Sequence, residues 1–215
     1  MRIDEVILYT SQIEAQKFFY RSTLGLEQLL DSPNEISFKV GYSVLTFRYK
    51  KMMKPSHLAF NIPAGSILKA KIWLEKRTAL IQSGENYIAD FDSWRAKSIY
   101  FYDADGNIME FIAREAISAN LEGEFSSRSL VSISELGIVT NDIETIYNSI
   151  NTIKPIRIFD GDFSRFCALG NDDGLFIVID KAKKKWYPTN EEAFTSEFSI
   201  RGDYNFTFEK GRIKT

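Results

Sequence analysis

Glu110 is a lone carboxylate in an otherwise apolar predicted strand, residues 108–113. Alternation along a strand places Glu110 on one face together with Ile108 and Ile112. A carboxylate between apolar neighbours is costly to bury unless it is exposed, hydrogen-bonded or bound to a metal. We therefore expect Glu110 to contact a partner that binds oxygen ligands.

Two further side chains have ligand chemistry at similar places in predicted strands. Glu5 begins the first predicted strand of the chain, and His57, the single histidine, begins another. The opposite face of each strand is apolar, which is typical of a strand that packs under a helix. If these strands lie in one curved sheet, Glu5, His57 and Glu110 all point to its concave side.

The strands that position these residues belong to a repeated pattern. A β-α-β-β-β order covers residues 5–49 as the first module, with a helix predicted over 12–24 from apolar residues at helical spacing. The same order recurs over 56–113 as the second module and over 132–180 as the third. The segment EVILYTSQIEA, which starts at Glu5, aligns with ELGIVTNDIET, which starts at Glu135. Such internal repetition predicts a modular fold.

The repeats predict four parts of the chain. Residues 1–115 form a two-module domain, 116–131 a connector, 132–181 the third module, and 182–215 a tail that packs on the third module. A loop of about 15 residues in the second module contains Tyr87, Phe91 and Trp94. A cover over a pocket and anchors in the core explain these aromatic residues equally well.

The paired modules resemble the vicinal oxygen chelate superfamily, which includes glyoxalase I, extradiol dioxygenases and bleomycin-resistance proteins. The resemblance rests on the runs ILYTSQIEAQKFFYRSTLGL, HLAFNIP and YFYDADGNIMEF. The last run is similar to the family's D-P-D-G-x-x-x-E turn, with Ala104 in place of proline. The resemblance implies an α+β fold in which repeated βαβββ modules form a curved, concave mixed β-sheet, with the helices on its convex face.

The resemblance also implies a metal site. One divalent ion (zinc, nickel, manganese or iron) would be held by Glu5, His57 and Glu110. Glu5 is a departure, since many metal-binding members have histidine or glutamine there. The optional fourth ligand position falls near Leu45, which has no ligand atom. In the third module the position of Glu110 falls on Val178, so we expect no second complete site there.

The implied function is metal-dependent isomerase or lyase chemistry of the glyoxalase type, on a small substrate that chelates through oxygen. Glu110 and Glu5 are the expected catalytic carboxylates. The expected substrate contacts are Tyr9, Tyr100, Tyr102 and Arg48. Ring cleavage by extradiol dioxygenases usually takes two histidines, which argues against it here. The alternatives are a metal-free small-molecule binding protein of the bleomycin-resistance type and a structural or regulatory protein without chemistry.

Composition argues against several other functions. The net charge is −2, and no block of basic residues interleaves with aromatic residues, so we expect no nucleic-acid partner. No apolar window approaches a membrane span, and the first residues lack a signal-peptide pattern. Cys167 is the single cysteine, which suits a reducing compartment. We expect a cytoplasmic protein with a small-molecule ligand; homodimer formation, and module pairing within or between chains, stay open.

Overall fold

The structure is a computed structural model that describes residues 1–118, 121 and 123–215. Residues 119, 120 and 122 of the predicted connector lie outside the described residues. The described residues form sixteen strands and three α-helices, which confirms the α+β class. Among these helices, none combines the length and the apolar content needed to cross a membrane.

The first two modules each begin with a strand, continue with a helix and end with further strands. The first contains β1 (Ile3–Thr10), α1 (Ile13–Lys17) with a π-helical continuation (Phe18–Thr23), β2 (Gln28–Asp31), β3 (Glu35–Val40) and β4 (Ser43–Tyr49). The second contains β5 (His57–Ile62), α2 (Ile67–Glu75), β6 (Leu80–Ile81), β7 (Ala89–Phe91), β8 (Ala96–Tyr102) and β9 (Ile108–Arg114).

The third module repeats the order, and the tail adds strands of its own. The third module contains β10 (Ser132–Thr140), α3 (Ile143–Ile153), β11 (Ile158–Asp162), β12 (Phe166–Asn171) and β13 (Gly174–Asp180). The tail contains β14 (Phe198–Gly202), β15 (Phe206–Glu209) and β16 (Arg212–Lys214). The second half of the chain therefore contains a full module followed by an all-strand segment.

Helix α3 illustrates how the sequence sets these elements. Its buried residues Ile143, Ile146 and Ile150 recur at helical spacing, so one face of the helix is apolar and packs on the sheet. Asp142 caps the helix, since its carboxylate accepts a 3.0 Å hydrogen bond from the backbone nitrogen of Thr145.

The strands form two sheets, and the modules pair differently from the expectation. One sheet has the order β16-β15-β14-β1-β4-β3-β2, and the other has β11-β12-β13-β10-β5-β9-β8-β6, with β7 beside β8. The first strand of each module pairs along one edge with the last strand of the same module. The other edge of each first strand is then available to a strand from elsewhere in the chain. That edge of β5 is taken by β10, and that edge of β1 by β14. The second and third modules therefore share a sheet, while the first shares one with the tail.

Both sheets contribute to one core. Phe47 and Phe198 of the first sheet belong to the same buried apolar cluster as Phe60 and Phe176 of the second. The tail, predicted to pack on the third module, pairs with β1 and also contacts that module, since the Tyr204 ring centroid lies 5.8 Å from that of Phe176. Burial of these large rings is the main force that holds the two sheets together.

The turn between β8 and β9 is tied to the first module by one carboxylate. Asp103 accepts 2.9 Å hydrogen bonds from the backbone nitrogens of Asp105 and Asn107, which close the turn. It also accepts 2.9 Å hydrogen bonds from the side chains of Gln16 and Tyr20. This network satisfies a buried carboxylate and fixes where β9 begins.

Candidate metal centre

Three ligand-type side chains meet on the concave face of the second sheet. His57 begins β5, Glu110 is the third residue of β9, and Glu135 is the fourth residue of β10. In the strand register, Ala59 of β5 pairs with Glu110 on one side and with Glu135 on the other. Paired residues share a face, so the two carboxylates flank Ala59, and His57 lies two residues along the same face.

The distances within this cluster suit a shared cation. Nε2 of His57 lies 3.4 Å from Oε2 of Glu110 and 3.6 Å from Oε2 of Glu135. One ligand atom from each residue lies within 4.8 Å of the others, and all three side chains are buried. Ligands at about 2.1 Å from a divalent metal are about 3 to 3.5 Å apart. Two carboxylates and one imidazole also match the ligand preferences of zinc, nickel, manganese and iron.

Neighbouring groups orient two of the three ligand-type side chains. Nδ1 of His57 lies 3.1 Å from the carbonyl oxygen of Ile108, which can only accept, so Nδ1 carries a proton and Nε2 faces the carboxylates. The fully buried Arg114 donates from Nη2 to Oε1 of Glu135, which leaves Oε2 directed at His57. Such outer partners are a regular feature of metal sites in proteins.

The cluster perturbs the acidity of its members. Burial and the negative charge of Glu135 raise the pKa of Glu110 to about 7. Burial opposes the charged form of His57, but the hydrogen bond to Glu135 and the charge of Glu110 outweigh it, so the pKa of His57 is raised. Two buried carboxylates therefore lie close together, and the negative charge of each disfavours that of the other. A divalent cation between them would stabilise both negative charges. The residues present fit a metal.

Glu5, predicted as the third ligand, lies in the other sheet. Its Oε1 accepts a 2.9 Å hydrogen bond from Thr46, and its Oε2 a 3.0 Å hydrogen bond from Arg201. Thr46 pairs with Ile7, two residues after Glu5, so the fourth ligand position predicted near Leu45 falls on Thr46. The other two predicted ligands do lie together, and Glu135 completes their group. The reason is the sheet pairing, which puts β10 rather than β1 beside β5.

The strand register also corrects the position that matches Glu110 in the third module. Glu110 pairs with Ala59, two residues after His57 in β5. The corresponding pair in the third module joins Ile177 to Gly137, two residues after Glu135. The matching position is therefore Ile177 and not Val178. Neither residue offers a ligand atom, so among the described residues the candidate group keeps three ligand-type side chains.

The four predicted substrate contacts are divided between the two sheets. Tyr100 pairs with Glu110 and lines the cavity above the cluster. Tyr102 lies two residues further along β8, and its hydroxyl donates a 2.7 Å hydrogen bond to Glu191. Tyr9 and Arg48 lie in the first sheet, away from the cluster.

A cavity of about 280 Å³ lies over the cluster. Six aromatic side chains line it: Phe91, Trp94, Tyr100, Phe166, Trp186 and Tyr187. Two of them, Phe91 and Trp94, come from the predicted long loop of the second module. Another two, Trp186 and Tyr187, come from the start of the tail, and the sequence did not indicate that the tail contributes to the cavity. A larger groove of about 650 Å³ beside Lys50 and Met52 contains none of the three ligand-type residues, so size alone does not locate the site.

The tail segment reaches the cluster directly. The Trp186 ring centroid lies 5.2 Å from that of His57. Gly137 makes room for it, since a Cβ atom there would lie 2.7 Å from Cη2 of Trp186. Tyr187 packs edge-on against Tyr100, with ring centroids 5.8 Å apart. The tail therefore covers the side of the cavity that the sheet leaves open.

Comparisons with known proteins agree with this geometry. The chain is 30% identical over 115 residues to the metallothiol transferase FosB of Staphylococcus epidermidis, which covers 50% of this chain and 80% of that protein. A putative dioxygenase structure from Bacillus subtilis has a TM-score of 0.61 at 16% identity and covers 83% of this chain, which spans 63% of its length. A glyoxalase I variant structure from Zea mays has a TM-score of 0.57 at 12% identity and covers 92% of this chain and 70% of that one. No protein-family model matches the chain.

Proposed function

Since this chain belongs to the vicinal oxygen chelate superfamily, we propose that it holds one divalent metal ion and converts a small substrate that chelates through two oxygens. The proposed ligands are His57, Glu110 and Glu135, and the candidate metals are zinc, nickel, manganese and iron. The observation that carries the proposal is the buried convergence of one imidazole and two carboxylates on the concave face.

The proposed chemistry is of the isomerase or lyase type, as in glyoxalases. A bound divalent ion supplies Lewis-acid stabilisation of negative charge on a substrate oxygen. Glu110 is the proposed proton carrier, since a carboxyl group with a pKa of about 7 exchanges protons readily at neutral pH. Glu5, the other carboxylate predicted for this role, belongs to the other sheet and is not part of the group of three, so the proposal leaves this role to Glu110.

Tyr100 is the proposed hydrogen-bond donor to the substrate. It pairs with Glu110 across β8 and β9 and lines the same cavity. Burial and the charges of Glu110 and Glu135 raise its pKa well above the usual value, so the phenol keeps its proton. A neutral phenol donates a hydrogen bond to a developing oxyanion without adding a charge of its own.

One observation favours a second candidate, a metal-free binding protein of the bleomycin-resistance type. The charges of a protonated His57 and of Arg114 balance those of Glu110 and Glu135, so the cluster is also neutral as an ion-pair network without a metal. The aromatic cavity would then serve for sequestration alone. The two candidates differ in whether the purified protein contains metal.

Metal analysis of untagged protein, purified without a nickel column, separates the two candidates. We expect about one divalent ion per chain in the wild type and its loss in His57→Ala, because the imidazole is one of three ligands. Circular dichroism of both proteins would check that the variant is folded. Metal-free protein in both cases would contradict the enzyme proposal and leave the binding protein.

The proposed place of action is the cytoplasm, and the proposed partner is a small molecule. The single cysteine agrees with this, since Cys167 is a free thiol and one cysteine cannot form a disulfide within the chain. The concave sheet that holds the site is completed within one chain, so the proposed site does not depend on a homodimer.

A further inference from the structure

The cavity over the cluster is small and its walls are flat. Its volume of about 280 Å³ is just below the usual range for small-molecule sites. Phe91 and Trp94 lie with ring centroids 6.1 Å apart, and the ring of Trp94 stacks on that of Phe166 at 6.3 Å. Planar apolar walls favour a ligand with a planar apolar middle of about one ring.

The same cavity is lined by a cation, Lys184, in the segment that follows β13. Its Nζ lies 5.1 Å from the centroid of the Phe166 ring, and the side chain is half-buried. Among the described residues, no carboxylate lies within 4.0 Å of this ammonium group. A half-buried ammonium without a counter-charge attracts an anion into the cavity.

Besides Glu110 and Glu135, one carboxylate lines the described cavity, and it is already hydrogen-bonded. Asp160 accepts a 2.6 Å hydrogen bond from Nε1 of Trp94 through Oδ2 and a 2.7 Å hydrogen bond from the backbone nitrogen of Gly161 through Oδ1. Asp160 forms no ion pair with Lys184 within 4.0 Å, so it does not occupy the ammonium group. Burial and the nearby charge of Arg165 lower the pKa of Lys184, and an anionic group of a ligand beside the ammonium would raise it again.

Lys184 is well separated from the metal ligands. Phe166, the ring beneath its ammonium group, lies in β12, while Glu135 lies in β10, with β13 between them. In the strand register Phe166 is level with Val139, four residues beyond Glu135, so the two backbones are about 16 Å apart. The side chains of Glu135 and Lys184 both line the cavity of about 280 Å³, so a ligand that fills this cavity meets the metal ligands at one end and Lys184 at the other.

We propose that the substrate is a small flat acid, with two chelating oxygens for the metal, a planar apolar middle for the aromatic walls, and a carboxylate-like group that Lys184 binds. The inference rests on the proposed function, since it takes the metal centre as the anchor for the chelating end. It goes beyond that function because it assigns a charge to the substrate and a specificity-determining role to Lys184.

The test compares two matched chelators by calorimetry on zinc-loaded protein. Benzohydroxamate carries an oxygen-chelating group on a plain ring, and 4-carboxybenzohydroxamate adds the negative charge at the opposite end. We expect the carboxylated compound to bind about three- to tenfold more tightly in low salt. Added salt should reduce this preference, because the ion pair is partly exposed.

Two variants identify the source of the preference. Lys184→Met keeps an apolar stem over Phe166 but removes the charge, so the two compounds should bind equally well. Lys183→Met is the matched control, because this exposed neighbour pairs with Asp180 and does not line the cavity. It changes the net charge by the same amount and should keep the preference.

The outcomes separate the inference from the metal site. If benzohydroxamate fails to bind zinc-loaded protein, the metal centre is wrong and the inference falls with it. If it binds and the carboxylated compound gains nothing, or if the gain survives in Lys184→Met, the metal centre stands and the inference is overturned. A gain that disappears only in Lys184→Met supports it.

Discussion

At the scale of single residues, the proposed metal competes with protons that the cluster holds in the metal-free protein. The pKa of Glu110 is raised to about 7 and that of His57 is also raised. Both groups must lose their protons to bind a cation, so we expect metal affinity to fall as the pH is lowered through 7. The fall should approach tenfold per pH unit for each proton displaced. Metal titrations at several pH values would measure it, and a flat profile would contradict this ligand set.

Stability of the metal-free protein should change with pH in a defined direction. The folded-state pKa of Glu110 lies above its usual 4.5, so its contribution is fully present below 4.5 and is lost as the pH rises through 7. The raised pKa of His57 acts in the same direction, with its contribution lost above its usual 6.5. We expect the free energy of unfolding of the metal-free protein to decline from mildly acidic to mildly basic pH.

Glu110→Gln should remove most of this decline, because an amide cannot ionise. At pH 8 the metal-free variant should be more stable than the metal-free wild type by on the order of 1 to 3 kcal/mol. Urea unfolding across the pH range would show it. Glu115→Gln, at an exposed residue that pairs with Arg95, is the control and should keep the wild-type slope. A Glu110→Gln slope equal to that of the wild type would rule out Glu110 as the source.

Two of the three cluster residues were predictable from the sequence, and the third was not. His57 and Glu110 stand out as ligand-type residues in apolar strands. The sequence did mark Glu135, since its segment aligns with the segment of Glu5. The alignment shows that the two glutamates occupy equivalent strand positions, but it does not show which of them lies beside His57. Glu5 and Glu135 occupy matching strand positions, and only the pairing of the sheets decides which one meets His57.

At the scale of elements, the tail segment around Trp186 closes the site, and Gly137 of β10 permits it. A Cβ atom at residue 137 would lie 2.7 Å from Cη2 of Trp186 and 3.1 Å from Cβ of His57. Gly137→Ala should therefore cost about 1 to 3 kcal/mol of stability through overpacking. Chemical denaturation would measure the loss.

A double-mutant cycle makes this prediction specific to the tail. In a Trp186→Ala background only the 3.1 Å approach to Cβ of His57 remains, so Gly137→Ala should cost much less there. Equal costs in both backgrounds would show that Trp186 does not pack on β10. Tryptophan fluorescence of Gly137→Ala should also change, because the ring must move from its buried place.

Local sequence patterns predicted where helices and strands lie better than they predicted which face of a strand a given residue occupies. The spacing of apolar residues predicted a helix over 12–24, and the structure has one from Ile13 to Thr23 with its π-helical continuation included. The match of Val178 to Glu110 was wrong by one residue, which reverses the face of a strand. Phe91 and Trp94 of the long loop line the cavity, so the interpretation of the loop as a pocket cover gains support.

At the scale of the whole molecule, the first module pairs with the tail, and the second pairs with the third. β14 lies antiparallel to β1 and is thus an internal strand of the first sheet. We expect the amides of β14 to exchange with deuterium as slowly as those of β1, since the two strands open together. The edge strand β16 is the internal control and should exchange faster. Exchange of β14 at the rate of an unfolded chain would contradict this pairing.

Which modules share a sheet could not be predicted from the sequence, and the reason is physical. The first strand of each module has the same alternation of apolar and polar residues, so the pattern does not distinguish one partner from another. The choice is made by contacts between distant parts of the chain, such as the burial of Phe198 and Phe47 in one cluster. The modular class was therefore predictable, and the sheet order was not.

The most direct test is the metal content of two glutamate variants, Glu135→Gln and Glu5→Gln, in untagged protein purified without a nickel column. The two changes are chemically identical and concern matching strand positions in different sheets. We predict about one divalent ion per chain in the wild type and in Glu5→Gln, and a loss of most of it in Glu135→Gln. Retention of metal in Glu135→Gln together with its loss in Glu5→Gln would contradict a metal centre built between the second and third modules.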